Sequence, residues 1–83
     1  MAYRILLVED NQQIQEVIND YFKGKSNGEL ELIMASDGEE AMCYICVEEY
    51  DLVLLDIMLP GVDGYTICRK IREKSIVPII FIK

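Results

Sequence analysis

The chain has 83 residues, a hydrophobic fraction of 52% and a formal net charge of −7. This length allows one small domain, and the apolar content favours a folded core over a disordered chain. The negative charge argues against nucleic-acid binding by this segment, because nothing would neutralise the phosphates, and it suits a small cation or a basic protein surface. No apolar stretch is long enough to span a membrane and no signal peptide opens the chain, so we expect no membrane association and a cytoplasmic location.

Short apolar runs alternate with segments of helical periodicity, a pattern that predicts βαβ units and a parallel sheet. The predicted elements in chain order are a strand at 3–8, a helix at 11–25, a strand at 30–35, a helix at 38–48, a strand at 52–55, a helix at 65–73 and a strand at 79–82. Right-handed crossovers place the helices on both faces of the sheet. The expected fold class is therefore α/β, with three βα units and a fourth strand.

Two local signals accompany the first two predicted helices. The first helix carries one apolar stripe at helical spacing, formed by Ile14, Val17, Ile18, Tyr21 and Phe22. The second helix follows Asp37, a favourable N-cap residue, and has two glutamates in its first turn.

Three carboxylates follow two of the predicted strands directly. Glu9 and Asp10 come after the apolar run at 5–8, and Asp56 comes after the run at 52–55. If these parallel strands are neighbours, the three acids converge on one crevice at the carboxyl end of the sheet. A cation would relieve their mutual repulsion, and oxygen ligands without histidine or cysteine suit Mg²⁺. Acids that merely end strands in solvent are the open alternative.

Asp56 is the better candidate for a nucleophile towards phosphorus, because Glu9 and Asp10 are adjacent and can share the metal. The loop after Asp56 contains the turn residues Pro60 and Gly61, followed by a further bend at Gly64. This loop lies beside the crevice and could supply a backbone carbonyl to the metal.

Four blocks of the sequence, taken together, resemble the receiver domain of bacterial two-component response regulators. They are ILLVEDN at 5–11, ASDGEEA at 35–41, DLVLLDIMLPGVDG at 51–64 and VPIIF at 77–81. The resemblance covers the whole chain, with the blocks in the family's order and spacing. It implies a flavodoxin-like parallel sheet with strand order 2-1-3-4-5.

The resemblance also implies a role for each acid. Asp56 would accept a phosphoryl group from a phosphohistidine of a sensor histidine kinase. Glu9, Asp10 and Asp56, with the backbone carbonyl of Met58, would hold Mg²⁺. The chain would then be a phosphoacceptor signalling module.

Two family features are absent from the sequence. The family continues after its fourth strand with a helix, a fifth strand bearing a lysine, and a last helix. Its hydroxyl residue follows the fourth strand, where this chain has Lys83. We therefore expect residues 1–83 to be a truncated receiver domain with impaired output switching. We also expect a homo-oligomer formed through the uncovered sheet edge or face.

Two other functions compete with signalling. Mg²⁺-dependent phosphatases with an Asp-x-Asp element place it after the first strand, where this chain has Glu9, Asp10 and Asn11, so the chain is not expected to be an enzyme. The alternative is an interaction or oligomerisation module that no longer takes part in phosphotransfer.

Overall fold

The computed structural model describes residues 3–26, 28–59 and 61–82, so Pro60 and Lys83 lie outside the described residues. The elements are β1 (Tyr3–Val8), α1 (Gln12–Ser26), β2 (Leu30–Ala35), α2 (Gly38–Val47), β3 (Leu52–Leu55), α3 (Gly64–Arg72) and β4 (Ile79–Phe81). Every predicted strand and helix is present, and no end differs from its predicted position by more than one residue. The domain boundary at 1–83 and the truncation stay predictions.

The four described strands form one parallel sheet in the order β2-β1-β3-β4. The chain runs from β1 outward to β2 and then returns across β1 to β3, so the strand order reverses between β1 and β3. Val8 pairs with Leu55 in this central ladder. The residues that follow these two strands therefore emerge side by side at the point where open α/β sheets bind their ligands.

Side chains alternate between the two faces of the sheet along each strand, and helices cover both faces. On one face, Leu6 and Val8 pack in a buried cluster with residues of α2 and α3, including Ile67 and Ile71. On the other face, Ile5 and Leu7 belong to a cluster that α1 covers through two partly buried residues, Ile18 and Phe22. This two-sided arrangement confirms the flavodoxin-like α/β fold.

The apolar stripe of α1 is narrower than the sequence predicts. Val17 and Tyr21 are 68% and 61% exposed, whereas Ile18 and Phe22 reach the sheet. The inward side of the helix also includes Gln15, which is only 9% exposed although it is polar. The buried line of α1 therefore runs through Gln15, Ile18 and Phe22, at the spacing of one helical face.

Aspartates cap the second and third helices. The Asp37 side chain accepts a hydrogen bond from the Glu40 amide at 2.8 Å, which confirms the predicted N-cap of α2. Asp63 caps α3 in the same way, with the Thr66 amide at 2.9 Å, and this hydrogen bond lowers the pKa of Asp63 below its ordinary 3.8. The stability that this ionised cap adds is present above the ordinary pKa and is lost as pH falls through the lowered one.

Within the described residues, the helices are all too short or too polar to cross a bilayer.

Candidate functional site

The three predicted acids meet at the carboxyl end of β1 and β3. One carboxylate oxygen from each of Glu9, Asp10 and Asp56 lies within 4.8 Å of the other two. Glu9 and Asp56 are buried, with Asp56 only 1% exposed, and Asp10 is open to solvent. The cluster thus has two buried acids and one acid exposed to solvent.

Backbone hydrogen bonds that extend the strand ladders hold the two buried acids in place. The Glu9 amide donates to the Ala35 carbonyl of β2 at 3.0 Å, and the Asp56 amide donates to the Val8 carbonyl of β1 at 3.0 Å. Each acid is therefore attached to its neighbouring strand through its own peptide. The positions of Glu9 and Asp56 therefore follow from the sheet register.

The carboxylates themselves are oriented by amides of the loops that follow them. The Met58 amide donates to Asp56 Oδ1 at 2.9 Å, and the Asn11 amide donates to Glu9 Oε2 at 3.2 Å. Both contacts join a residue to the one two positions later, so a short turn follows each strand. Hydrogen bonds of this kind fix the direction of a carboxylate.

The loop after Asp56 is packed closely against the start of α3. The Gly64 amide donates to the Ile57 carbonyl at 2.8 Å, and a Cβ at position 64 would lie 2.6 Å from the Asp56 carbonyl oxygen. Gly61 has a φ of 79°, a backbone conformation that residues other than glycine rarely adopt. Both glycines were predicted only as bends, and the close contact of Gly64 could not be inferred from turn chemistry.

The ligand role of Met58 stays a prediction, since it concerns the backbone carbonyl. What the structure shows is that its amide holds Asp56, while its side chain is exposed to solvent. Sequence reasoning missed Gln15, whose side-chain amide donates to the Glu9 carbonyl at 2.5 Å. The available signal was a polar residue on the inward line of an amphipathic helix.

The donor set fits a hard divalent cation. All three side chains offer carboxylate oxygens, which Mg²⁺ prefers. Mg²⁺ binds oxygens at about 2.1 Å, so ligands on opposite sides of the ion lie about 4.2 Å apart. The ligand oxygens of this cluster lie within 4.8 Å of one another, which is close to that separation. The residues present therefore fit Mg²⁺.

Comparison with known proteins identifies the family. The response regulator receiver domain matches residues 5–83, so the chain belongs to this family, as its sequence motifs predict. Among curated proteins, an uncharacterized transcriptional regulatory protein of Bacillus subtilis, YrkP, is 40% identical over 99% of this chain and 34% of its own length. The chain spans about a third of the length of the curated relatives it matches.

Solved structures show the same fold, one of them with a bound magnesium ion and another in a complex with a histidine kinase. The receiver domain of a sensor histidine kinase from Pseudomonas aeruginosa PAO1 has magnesium coordinated in its active-site cleft. It is 34% identical to this chain, with a TM-score of 0.90, and the match covers all of this chain and 68% of that one. The response regulator TrrA, in a complex with the histidine kinase ThkA, is a second match, with 35% identity, a TM-score of 0.86 and coverage of 95% and 66%.

The expectation that the chain is simply not an enzyme is wrong as stated. The family match makes the chain a signalling module, and the structure gathers two buried carboxylates and one exposed carboxylate in one strand-end cluster. The division into enzymes and inert modules does not describe a receiver domain.

Proposed function

We propose that this domain is the phosphoacceptor of a two-component system and that Asp56 receives the phosphoryl group. The observation that carries the proposal is the convergence of Glu9, Asp10 and Asp56 at the reversal point of the sheet. Asp56 is a buried acid directly after strand β3, and the Met58 amide already fixes one of its oxygens. A carboxylate held in this way is oriented before the donor arrives, which is the main contribution that a protein makes to phosphoryl transfer.

In the proposed reaction, an oxygen of Asp56 forms a bond to phosphorus while the bond between phosphorus and the histidine nitrogen of the donor breaks. The imidazole nitrogen leaves with the electron pair of that bond, and Asp56 becomes an acyl phosphate. Glu9, Asp10, Asp56 and the Met58 carbonyl would hold Mg²⁺. When bound, this ion would offset charge on the transferred group.

The proposed donor is a sensor histidine kinase. A homologous response regulator has been solved in complex with a histidine kinase, and the −7 charge of this chain suits a partner with a basic surface. We propose a cytoplasmic location for the exchange, with no binding of nucleic acid or membrane by this segment. Impaired output switching is also part of the proposal.

The test uses the 83-residue chain with a small phosphodonor, or with beryllium trifluoride as a mimic of the phosphoryl group. We expect one adduct, mapped by peptide mass spectrometry or NMR to Asp56 and dependent on Mg²⁺. An adduct on another residue, or one that forms equally well in the presence of a chelator, would contradict the assignment.

A second candidate function is an interaction module that assembles with a second copy and takes no part in phosphotransfer. The observation in its favour is exposed apolar surface on β4, where Ile80 is 53% exposed in a strand at the edge of the described sheet. Such an edge is a template for pairing with another chain. Sedimentation of the 83-residue chain across a wide concentration range tests this proposal. A dimer that persists when Asp56 cannot be labelled favours this function. A chain that stays monomeric at every concentration excludes it.

A further inference from the structure

Gln15 is a buried polar residue in the first turns of α1. The helix is capped by Asn11, whose side-chain oxygen accepts from the Ile14 amide at 3.2 Å. The Gln15 amide nitrogen of the main chain then donates to the Asn11 carbonyl at 3.0 Å. The backbone of Gln15 is thereby fixed one turn beyond the loop that carries the acids. Its side chain lies on the inward line of the helix and is 9% exposed.

The side chain of Gln15 connects two strand-end loops. Its Nε2 atom donates to the Glu9 carbonyl at 2.5 Å and lies 3.4 Å from the Ser36 hydroxyl oxygen. Glu9 follows β1, and Ser36 follows β2. Val8 and Ala35 form the last pair of the ladder between these strands. The side-chain amide of Gln15 therefore connects the segments that follow the two strands, just beyond this last pair.

We propose that Gln15 is a positioning residue for the acid cluster and sets its affinity for a divalent cation. The inference rests on the proposed function, because it takes the cluster as a metal site. The Glu9 carbonyl belongs to the peptide that joins Glu9 to Asp10, so holding this oxygen fixes the plane from which both acids depart. If this peptide turns, the direction of the Asp10 carboxylate relative to Asp56 changes.

The chemistry of the glutamine side chain suits this role. It is long enough to reach from α1 to the strand end, and its amide donates without carrying charge. A lysine or arginine in the same place would neutralise the acids and compete with the cation. Gln15 can therefore orient the cluster and leave its negative charge for a ligand. Groups that orient metal ligands in this way typically change metal affinity about 10–100-fold when removed.

The experiment compares Gln15→Met with Gln13→Met in the 83-residue chain. Methionine has nearly the length of glutamine but cannot donate, and Gln13 is an exposed residue of the same helix. Mg²⁺ affinity is measured by titration at a temperature at which all the variants are folded. Hydrogen exchange of the Asp10 and Asn11 amides is measured in the metal-free proteins.

We expect Gln15→Met to bind Mg²⁺ about tenfold more weakly and to exchange these two amides faster, with Gln13→Met matching the wild type. Unchanged affinity and exchange in a folded Gln15→Met would overturn the inference. Absence of Mg²⁺ binding by the wild type would instead refute the proposed metal site. If Gln15→Met does not fold, Gln15→Asn replaces it. Its amide is one methylene too short, and the same two outcomes decide.

Discussion

The two ends of the parallel sheet place their acidic side chains in opposite surroundings. At the carboxyl end, Glu9, Asp10 and Asp56 lie against one another. At the amino end, acids surround a cation: Arg4 pairs with Glu48 and, at 3.6 Å, with Glu31. The same residue types thus repel one another at one end of the sheet and are neutralised at the other.

The amino end is a structural cluster built on Arg4. Its backbone amide donates to Asp51 at 2.7 Å, and its guanidinium lies 5.1 Å from the centre of the Tyr50 ring. The hydrogen bond and charge of Glu48 raise the pKa of Arg4 further, and burial raises the pKa of Tyr50. Acids that meet a cation in their own chain tie strands together, whereas acids that meet other acids keep charge for a ligand.

The largest contrast should come from removing one negative charge at each end of β3. Asp56→Asn is expected to abolish the phosphoryl or beryllium trifluoride adduct, because an amide oxygen is a poor nucleophile towards phosphorus. Asp51→Asn keeps an oxygen that can accept from Arg4 and should label like the wild type. Intact-protein mass spectrometry or fluorine NMR measures the adduct. Labelling that survives in Asp56→Asn, or is lost equally in both variants, would break the comparison.

A second contrast tests how tightly the carboxyl end is packed. In Gly64→Ala the new methyl group would lie 2.6 Å from the Asp56 carbonyl oxygen and 2.7 Å from the Ile57 Cα. We expect a loss of about 1–3 kcal/mol in the free energy of unfolding and a displaced Asp56. In Gly24→Ala the new Cβ meets nothing within 4 Å beyond its chain neighbours and the backbone of α1, so this variant should instead stabilise by about 0.5–1 kcal/mol.

Urea unfolding of the two glycine variants, followed by their Mg²⁺ titration, gives both readouts. Equal stability of Gly64→Ala and the wild type would mean that the loop after Asp56 relaxes easily, and the cluster would then be less rigid than its contacts indicate.

The sequence predicts what depends on periodicity and strand ends. Apolar runs located all four strands, and the parallel arrangement then brought Glu9 next to Asp56, since the register pairs Val8 with Leu55. The fold class and the acid cluster follow from these local patterns, because buried parallel strands have a distinct composition and their ends are fixed by topology.

Contacts between residues of different elements could not be predicted from these local patterns. Val17 and Tyr21 satisfy the helical spacing but are exposed, since periodicity does not say how wide a strip of the helix the sheet covers. The contact of Gln15 with Glu9 and Ser36 depends on the distance between two loops. The lack of room for a side chain at Gly64 depends on how closely α3 approaches Asp56. Each of these distances is set by the three-dimensional packing and leaves no signal in the sequence.

A smaller effect is expected from Asp10→Ala. Removing the exposed acid relieves repulsion within the cluster, so the metal-free protein should melt at the same temperature as the wild type or slightly higher. The rise in melting temperature on adding Mg²⁺ should be smaller in the variant. A tenfold loss of affinity would remove about 1.4 kcal/mol of metal-linked stabilisation at saturating Mg²⁺. Thermal melts with and without Mg²⁺ measure it, with Asp20→Ala in α1 as an exposed control. A shift equal to that of the wild type would mean that Asp10 is not a ligand.

The smallest effects should come from salt, and they should differ in sign between the two ends. Added salt screens the attraction of Arg4 for Glu48 and Glu31, so the stability difference between wild type and Arg4→Gln should shrink as ionic strength rises. Salt also screens the repulsion among Glu9, Asp10 and Asp56, so any advantage of Asp10→Ala in the metal-free protein should shrink as well. The first variant starts less stable than the wild type and the second starts equal or more stable. The two curves of stability difference should therefore approach zero from opposite sides.

Urea unfolding at low and high sodium chloride, without divalent ions, measures both curves. Curves that approach from the same side would show that the ends of the sheet do not differ in their electrostatics as their contacts indicate.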